Sequence, residues 1–131
     1  MSVQTRLRRI AFLVGRALFG GMLAYSAYEN FANLDGRIQY AESKGVDQAG
    51  LLVPLATGSL LFGSLGIVFW RLPRLAAGAV LTFLAGITPQ MHDFWNVDDD
   101  QRNAEQTHFI KNVSLIGAAL VFLSIADRDR E

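Results

Sequence analysis

The 131-residue chain contains no cysteine. This absence excludes disulfide bonds, thiolate redox chemistry and every metal site that depends on cysteine ligands. The sequence also lacks a glycine-rich phosphate loop, a nucleophile elbow and a basic nucleic-acid-binding patch. The acidic run Asp98–Asp100 lacks the glycine and the closing glutamate of a calcium-binding loop. Nucleotide-dependent enzymes, serine hydrolases, nucleic-acid-binding proteins and EF-hands are therefore not expected.

Four long apolar runs dominate what is present. Leu51–Trp70 is twenty residues long without a charge, and Ile10–Tyr28 contains only Arg16. The last run, Val113–Ala126, is shorter, but it reaches spanning length if it begins near Phe109 and includes Lys111. Since roughly 20 apolar residues cross a hydrocarbon core of about 30 Å, the sequence predicts an all-α integral membrane four-helix bundle. The bundle forms a single transmembrane domain, residues 1–131, with predicted spans at about 10–32, 50–70, 74–91 and 107–126.

The net charge of zero conceals an asymmetry between the two sets of helix ends. One set carries Arg6, Arg8, Arg9, Arg71, Arg74, Arg128 and Arg130, and most of the carboxylates fall at the other. Because basic residues in short loops favour the cytoplasmic side, both termini are predicted to be cytoplasmic in a multi-pass protein of the cell membrane. The first run is too long for the apolar core of a signal peptide, so we expect it to be retained as a span.

Turn and capping residues indicate where the helices begin and end. The pattern predicts a short surface helix over Gly36–Lys44 that ends at Gly45 in the left-handed region. Pro54 is expected in the first turns of the second span, where a missing amide hydrogen has little cost. Pro89 is expected to kink or end the third span, and one aspartate of the run Asp98–Asp100 is expected to cap the fourth helix.

Lipid headgroup contacts are predicted on the arginine-rich side. The residues expected to make them are Arg16, Trp70, Arg71 and Arg74. Arg16 lies about two turns inside the first helix, and its long side chain can reach back to the headgroups. Trp70 falls where an aromatic residue would anchor a span at the membrane interface.

Polar residues at membrane depth are costly and are therefore candidates for function. Glu29, His92, Asp93 and Lys111 all fall near the outer ends of their predicted helices. Two interpretations stay open: an ion-pair cluster that ties helices together, or a proton-handling site for a quinone headgroup. In the second, lysine or asparagine donates hydrogen bonds to the quinone and histidine exchanges protons. The predicted quinone-lining residues are His92, Lys111, Asn112, Glu29, Asp93, Trp95 and Phe109.

The two histidines, His92 and His108, approach the same outer surface and are of the type that ligates haem or copper. A haem between such short helices would need ligands deeper in the bilayer. No metal or haem is therefore expected.

The chain resembles the DoxX family of small membrane proteins in the order and spacing of several short segments. These are Gly15–Gly21, Tyr40–Ala41, Lys44–Val46, Leu51–Leu55, His92–Trp95, Phe109–Asn112 and Gly117. The resemblance extends from Gly15 to about Phe122. It implies a four-helix membrane bundle associated with quinone-linked oxidoreductase systems, including thiosulfate:quinone oxidoreductase subunits and oxidative-stress complexes. Members often place a glutamate in the second helix, whereas the corresponding region, Ala56–Ser59, has no acid. A proton-transfer role would then fall to Glu29 or Asp93.

The leading hypothesis is a membrane subunit of a redox assembly that binds quinone near its outer face, with no catalytic residue identified. The alternative is a non-catalytic scaffold or accessory subunit that stabilises a partner complex. Besides the lipid bilayer, the expected partners are other membrane subunits or further copies of the chain. On the alternative hypothesis, small residues on one face of the third span (Gly78, Thr82 and Gly86) would dock against such a partner. A small transporter is the third possibility. Four short helices could line a path only as an oligomer, and only the first span carries a charge at depth.

Overall fold

The structure, a computed structural model, describes residues 2–91, 95 and 97–126, and these contain five α-helices and no strand. The helices are α1 (Val3–Ala32), α2 (Leu34–Ser43), α3 (Ala49–Phe69), α4 (Pro73–Met91) and α5 (Asp99–Ile125). The all-α class is therefore confirmed. Among the described residues, α1, α3 and α5 are long and apolar enough to cross a membrane. α4 is not one of these three helices, because its 19 residues include Arg74, Pro89 and Gln90, which lower its mean hydropathy.

The long helices pack side by side in the order α1, α3, α4, α5, and α2 packs on α3. Their shared core includes Leu60 and Ile67 of α3 with Val80 and Leu84 of α4. Glycine allows the closest approaches. A Cβ atom at Gly63 would lie 2.6 Å from the carbonyl oxygen of Ala76, so α3 and α4 are nearly in backbone contact there. Gly20 of α1 is equally close to the backbone of α3.

An aromatic cluster joins three helices at one end of the bundle. The ring centroids of Phe12 and Trp70 are 4.8 Å apart in an edge-to-face arrangement, and those of Phe19 and Phe122 are 5.1 Å apart. The N-terminal part of α1, the turn between α3 and α4 and the C-terminal part of α5 therefore meet at this end. We call it the terminal end, and we call the opposite end, where α2 lies, the cavity end.

The predicted short helix is confirmed as α2, although it begins two residues earlier and ends at Ser43, and Gly45 takes a φ of 84°. The expectation for Pro54 was wrong in detail. It is the sixth residue of α3, so it removes the amide hydrogen that would donate to the Gly50 carbonyl inside the helix. Pro89 does not end α4, which continues to Met91. Asp98 occupies the N-cap position of α5, as predicted for one of the three aspartates, but its side chain makes no capping hydrogen bond with the described residues.

Candidate functional site

A cavity of about 740 Å³ lies at the cavity end, between α1, α3, α4 and α5, with α2 and the following loop beside it. Its apolar part includes Leu23, Leu60, Leu84 and Leu115, one from each long helix. Its polar lining residues are Ser26, Asn30, Arg37, Tyr40, Asp47, Thr57, His108, Lys111 and Asn112. The cavity is therefore amphiphilic.

The order of residues along the helices separates a mouth from a floor. Leu60 lies eleven residues after the start of α3 at Ala49, or about 16 Å along its axis, so it is near the middle of the bundle. Leu84 and Leu60 are 2% and 1% exposed and form the floor. Arg37 and Tyr40 come from α2, and Asp47 comes from the loop before α3. The charged groups therefore lie toward the mouth, and hydrocarbon closes the bottom.

Two uncharged polar residues lie between the mouth and the floor. Thr57 of α3 and Asn112 of α5 are only 2% and 5% exposed, and both line the cavity. An asparagine amide can donate two hydrogen bonds and accept two, and a threonine hydroxyl can do both. Burial of such groups in a membrane helix is costly unless they find partners. A ligand with polar atoms could supply those partners.

The mouth has more positive than negative charge. Arg37 and Lys111 are cationic, His108 can become so, and Asp47 is the lining residue with a carboxylate. Lysine and arginine offer only hydrogen-bond donors, whereas Tyr40 and His108 can donate or accept. The arrangement suits a ligand that presents several acceptor oxygens, either neutral or anionic.

The link between α2 and α5 at the mouth depends on Tyr40. Its hydroxyl donates to Glu105 Oε1 at 3.4 Å, and the ammonium group of Lys44 lies 5.6 Å from the centroid of the Tyr40 ring. α2 is thus held beside the N-terminal half of α5 and forms one wall of the cavity.

The predicted quinone-lining residues have different positions. Lys111 and Asn112 line the cavity, whereas Glu29, Trp95 and Phe109 do not. Glu29 is exposed and interacts with Tyr25, one turn earlier in α1, through a side-chain hydrogen bond. The rings of Trp95 and Phe109 pack against each other, with centroids 5.6 Å apart. His92 and Asp93 lie outside the described residues.

Sequence reasoning missed most of the remaining polar lining. His108 was considered only as a metal ligand, although it lies one turn before Lys111 and shares its face of the helix. That spacing could have placed it in the site. Arg37, Tyr40 and Asp47 carried no comparable signal, because nothing in the sequence says which long helix α2 packs against. In the part of the chain that the structure describes, no group of three or more His, Asp or Glu residues could hold a metal ion.

The four residues predicted to contact headgroups lie at the terminal end. Arg71 and Arg74 are exposed at the turn between α3 and α4. The guanidinium of Arg16 lies 4.9 Å from the ring centroid of Phe12 and 5.7 Å from that of Trp70. Its Nε is buried and has no hydrogen-bond partner among the described residues. Cation–π contacts therefore contribute to holding this charge inside the aromatic cluster.

Comparison with known proteins shows the family to which the chain belongs. The DoxX family model matches residues 11–93, which include about three quarters of α1 and the whole of α2, α3 and α4. These helices carry all walls of the cavity except the one formed by α5. No curated protein and no solved structure matches the chain. Because the matched stretch covers more than half of the 131 residues, the chain belongs to the DoxX family.

Proposed function

We propose that the protein is a membrane subunit of a redox assembly and that it binds a quinone headgroup in the cavity. The observation that carries this proposal is the placement of hydrogen-bond donors from α2 and α5 above an apolar floor. Quinone rings are flat and largely apolar, with carbonyl oxygens that accept hydrogen bonds at their edges. A volume of about 740 Å³ is within the range of small-molecule sites.

Lys111 and Asn112 are the residues that would hold the carbonyl oxygens. Lys111 brings an ammonium group with three donors, and Asn112 brings an amide from the buried side of the cavity. Leu60 and Leu84 would pack against the ring and exclude water from its lower face. A bound quinone would supply two-electron, two-proton redox chemistry. The chain itself would bind, orient and exchange protons.

Proton exchange is assigned to residues at the mouth. The region in which family members often carry a glutamate is Ala56–Ser59, and both Ala56 and Thr57 line the cavity. A carboxylate at the position of Thr57 would face the ligand, but this chain has the threonine hydroxyl instead. Glu29 does not line the cavity, so it does not replace the missing acid. His108 and Asp47 are the titratable lining residues that would take this role.

Replacing Lys111 with methionine tests the binding site. Lys111→Met keeps the length of the side chain but removes the charge and the donors, so quinone affinity should fall at least about tenfold, as expected for one charge-assisted hydrogen bond. Binding of a tailed quinone to purified protein in nanodiscs can be measured by fluorescence quenching of Trp70 and Trp95. Arg8→Met is the control, because Arg8 is an exposed cation at the terminal end of α1 and does not line the cavity. Equal affinity in all three proteins would refute the assignment.

We also propose four membrane crossings with both termini in the cytoplasm. α3 begins at the cavity end and finishes in the aromatic cluster, and α5 does the same. Two parallel spans require the connecting helix to return the chain across the membrane, and α4 packs along both of them. Arg71 and Arg74 then share the terminal end with Arg6, Arg8 and Arg9, which favours that end as the cytoplasmic one.

A scaffold role is the second candidate, and Gly78 and Thr82 of α4 favour it. Gly78 has no atom within 4 Å of an added Cβ, and Thr82 is exposed, whereas Gly86 lines the cavity. The described helices therefore leave the Gly78–Thr82 part of this face open to another membrane helix. Stoichiometric protein partners without quinone, after purification in a mild detergent, would favour the scaffold.

A further inference from the structure

The seam between α1 and α5 differs from the other helix contacts. α1 packs on α3, α3 on α4 and α4 on α5 along their lengths, but α1 and α5 do not pack together in this way. They meet at the terminal end, where the ring of Phe122 lies 6.4 Å from Phe12 and 5.1 Å from Phe19 between centroids. Toward the cavity end, the Tyr40–Glu105 hydrogen bond connects α2 to α5.

On each of the two helices, a row of residues spaced seven apart explains where α1 and α5 come into contact. Residues seven apart lie two turns apart on the same face of a helix. On α1 one such row consists of Phe12, Phe19 and Ser26. The two phenylalanines reach α5, whereas serine is too small to do so and instead lines the cavity.

A row of residues with the same spacing lies on the side of α5 that faces this seam. It consists of His108, Leu115 and Phe122, and the ring of Phe122 contacts the rings of Phe12 and Phe19 on α1. Leu115 and His108 line the cavity from α5, and Ser26 lines it from α1. Ser26 and Lys111 both line the cavity and are both exposed. The cavity is therefore open between α1 and α5, on the side of the bundle as well as at the mouth.

We infer that this opening is a lateral slot through which a long-tailed membrane lipid enters the cavity from the bilayer. The polar headgroup lies among Lys111, Asn112 and Thr57, and the hydrocarbon tail leaves between Ser26 and Leu115. This inference rests on the proposed cavity ligand and adds its class: an amphiphile taken from the membrane, not a water-soluble substrate. A polar headgroup with acceptor oxygens on an apolar tail describes both isoprenoid quinones and phospholipids.

Photolabelling in nanodiscs tests the slot. Two probes are used separately: a phospholipid with a diazirine in its acyl chain and a long-tailed quinone with a diazirine in its tail. Mass spectrometry then locates the adducts. Each probe carries its diazirine on the tail carbons nearest the headgroup, so that a headgroup held in the cavity brings the diazirine beside the floor residues. It should then label Leu60 and Leu84, which are nearly inaccessible from the outside, while ordinary bilayer lipid labels exposed residues such as Leu18.

Closing the slot should abolish labelling of the floor. Ser26→Phe extends the row of phenylalanines by two turns and should reduce floor adducts at least tenfold, with adducts at Leu18 unchanged. Ser26→Leu is a milder obstruction and should give an intermediate loss. Ala17→Phe is the matched control, because Ala17 is exposed and lies on the opposite face of α1. Circular dichroism of each variant establishes that the helices are intact.

Each result has a defined meaning. Floor adducts that Ser26→Phe removes and Ala17→Phe retains support the slot, whichever probe forms them. Floor adducts from the phospholipid probe alone support the slot but contradict the quinone function. If neither probe labels the floor of the unmodified protein, or if Ser26→Phe leaves the adducts unchanged, the slot is wrong. The proposed quinone site is then still judged by the Lys111→Met affinity.

Discussion

At the scale of single residues, Asn112 is the most informative polar group. It is 5% exposed at the depth of a predicted span, although aliphatic residues would pack there at lower cost. Lys111 and His108 can reach water at the mouth, but the asparagine amide is enclosed by helices. A buried polar group of this kind is more readily explained by ligand binding than by stability. The two roles can be separated because leucine has the same number and branching of side-chain heavy atoms as asparagine but no polar atom.

Asn112→Leu should leave the fold intact while it weakens ligand binding. Replacement of a polar group by an apolar one of similar shape is close to neutral or stabilising. We expect the free energy of unfolding to change by less than about 1 kcal/mol or to increase, and quinone affinity to fall roughly tenfold. Thermal unfolding followed by intrinsic tryptophan fluorescence measures the first quantity, and titration in nanodiscs measures the second. A large loss of stability with unchanged affinity would instead make Asn112 a structural residue.

At the scale of helices, glycine contacts determine where the bundle is tight. Gly20, Gly63 and Gly66 make the close approaches, and all three lie in the half of the bundle nearer the terminal end. Gly78 and Gly86 on α4 make none. Glycine in a membrane helix therefore has two different roles in this chain, and the sequence pattern of small residues alone does not separate them.

Alanine substitutions at Gly63 and Gly78 should have opposite effects. At Gly63 the new methyl group would lie 2.6 Å from the Ala76 carbonyl oxygen, so the helices must separate, at a cost of about 1–3 kcal/mol. At Gly78 nothing lies within 4 Å, and the better helix propensity of alanine should stabilise by up to about 1 kcal/mol. Chemical unfolding in detergent, followed by circular dichroism, measures both. Equal effects at the two positions would show that the α3–α4 contact is looser than described.

The helices themselves were largely predictable, but their ends and the site were less so. Apolar runs locate helices in a membrane protein because backbone groups must be satisfied within each segment. They do not locate helix ends outside the hydrocarbon. α1 begins at Val3 because the Ser2 side chain caps it by accepting from the Thr5 amide, and α5 begins at Asp99, eight residues before the predicted span.

Depth along a helix predicted that Lys111 and Asn112 belong to one polar region, and both line the cavity. Depth could not distinguish residues that face inward from those that face lipid, so Glu29 was included although it does not line the cavity. The contributions of α2 depend on tertiary packing and lay beyond any local pattern.

At the scale of the whole molecule, the arrangement of the helices produces the cavity. Tight glycine contacts and the aromatic cluster hold the terminal half together. Among the described residues, α1 and α5 are not one of the main packing pairs, and α2 lies beside the cavity. A tightly packed half joined to an open half would allow the proposed lipid to bind without unfolding of the bundle. The side of the membrane that the open half faces then determines from which side the cavity can be reached.

The absence of cysteine makes the membrane orientation directly measurable. Single cysteines can be introduced at Ser2 beside the start of α1, at Ser43 at the end of α2 and at Glu131. If α4 crosses and the arginine-rich end is cytoplasmic, a membrane-impermeant maleimide should label only Ser43→Cys in intact cells. Ser2→Cys and Glu131→Cys should react only after the membrane is permeabilised. The unmodified protein should not react in either condition and serves as the blank.

Labelling of Glu131→Cys but not Ser2→Cys in intact cells would mean an odd number of crossings, and α4 would then not span. Labelling of both termini but not Ser43→Cys would keep four crossings and reverse the orientation, placing the cavity on the cytoplasmic side.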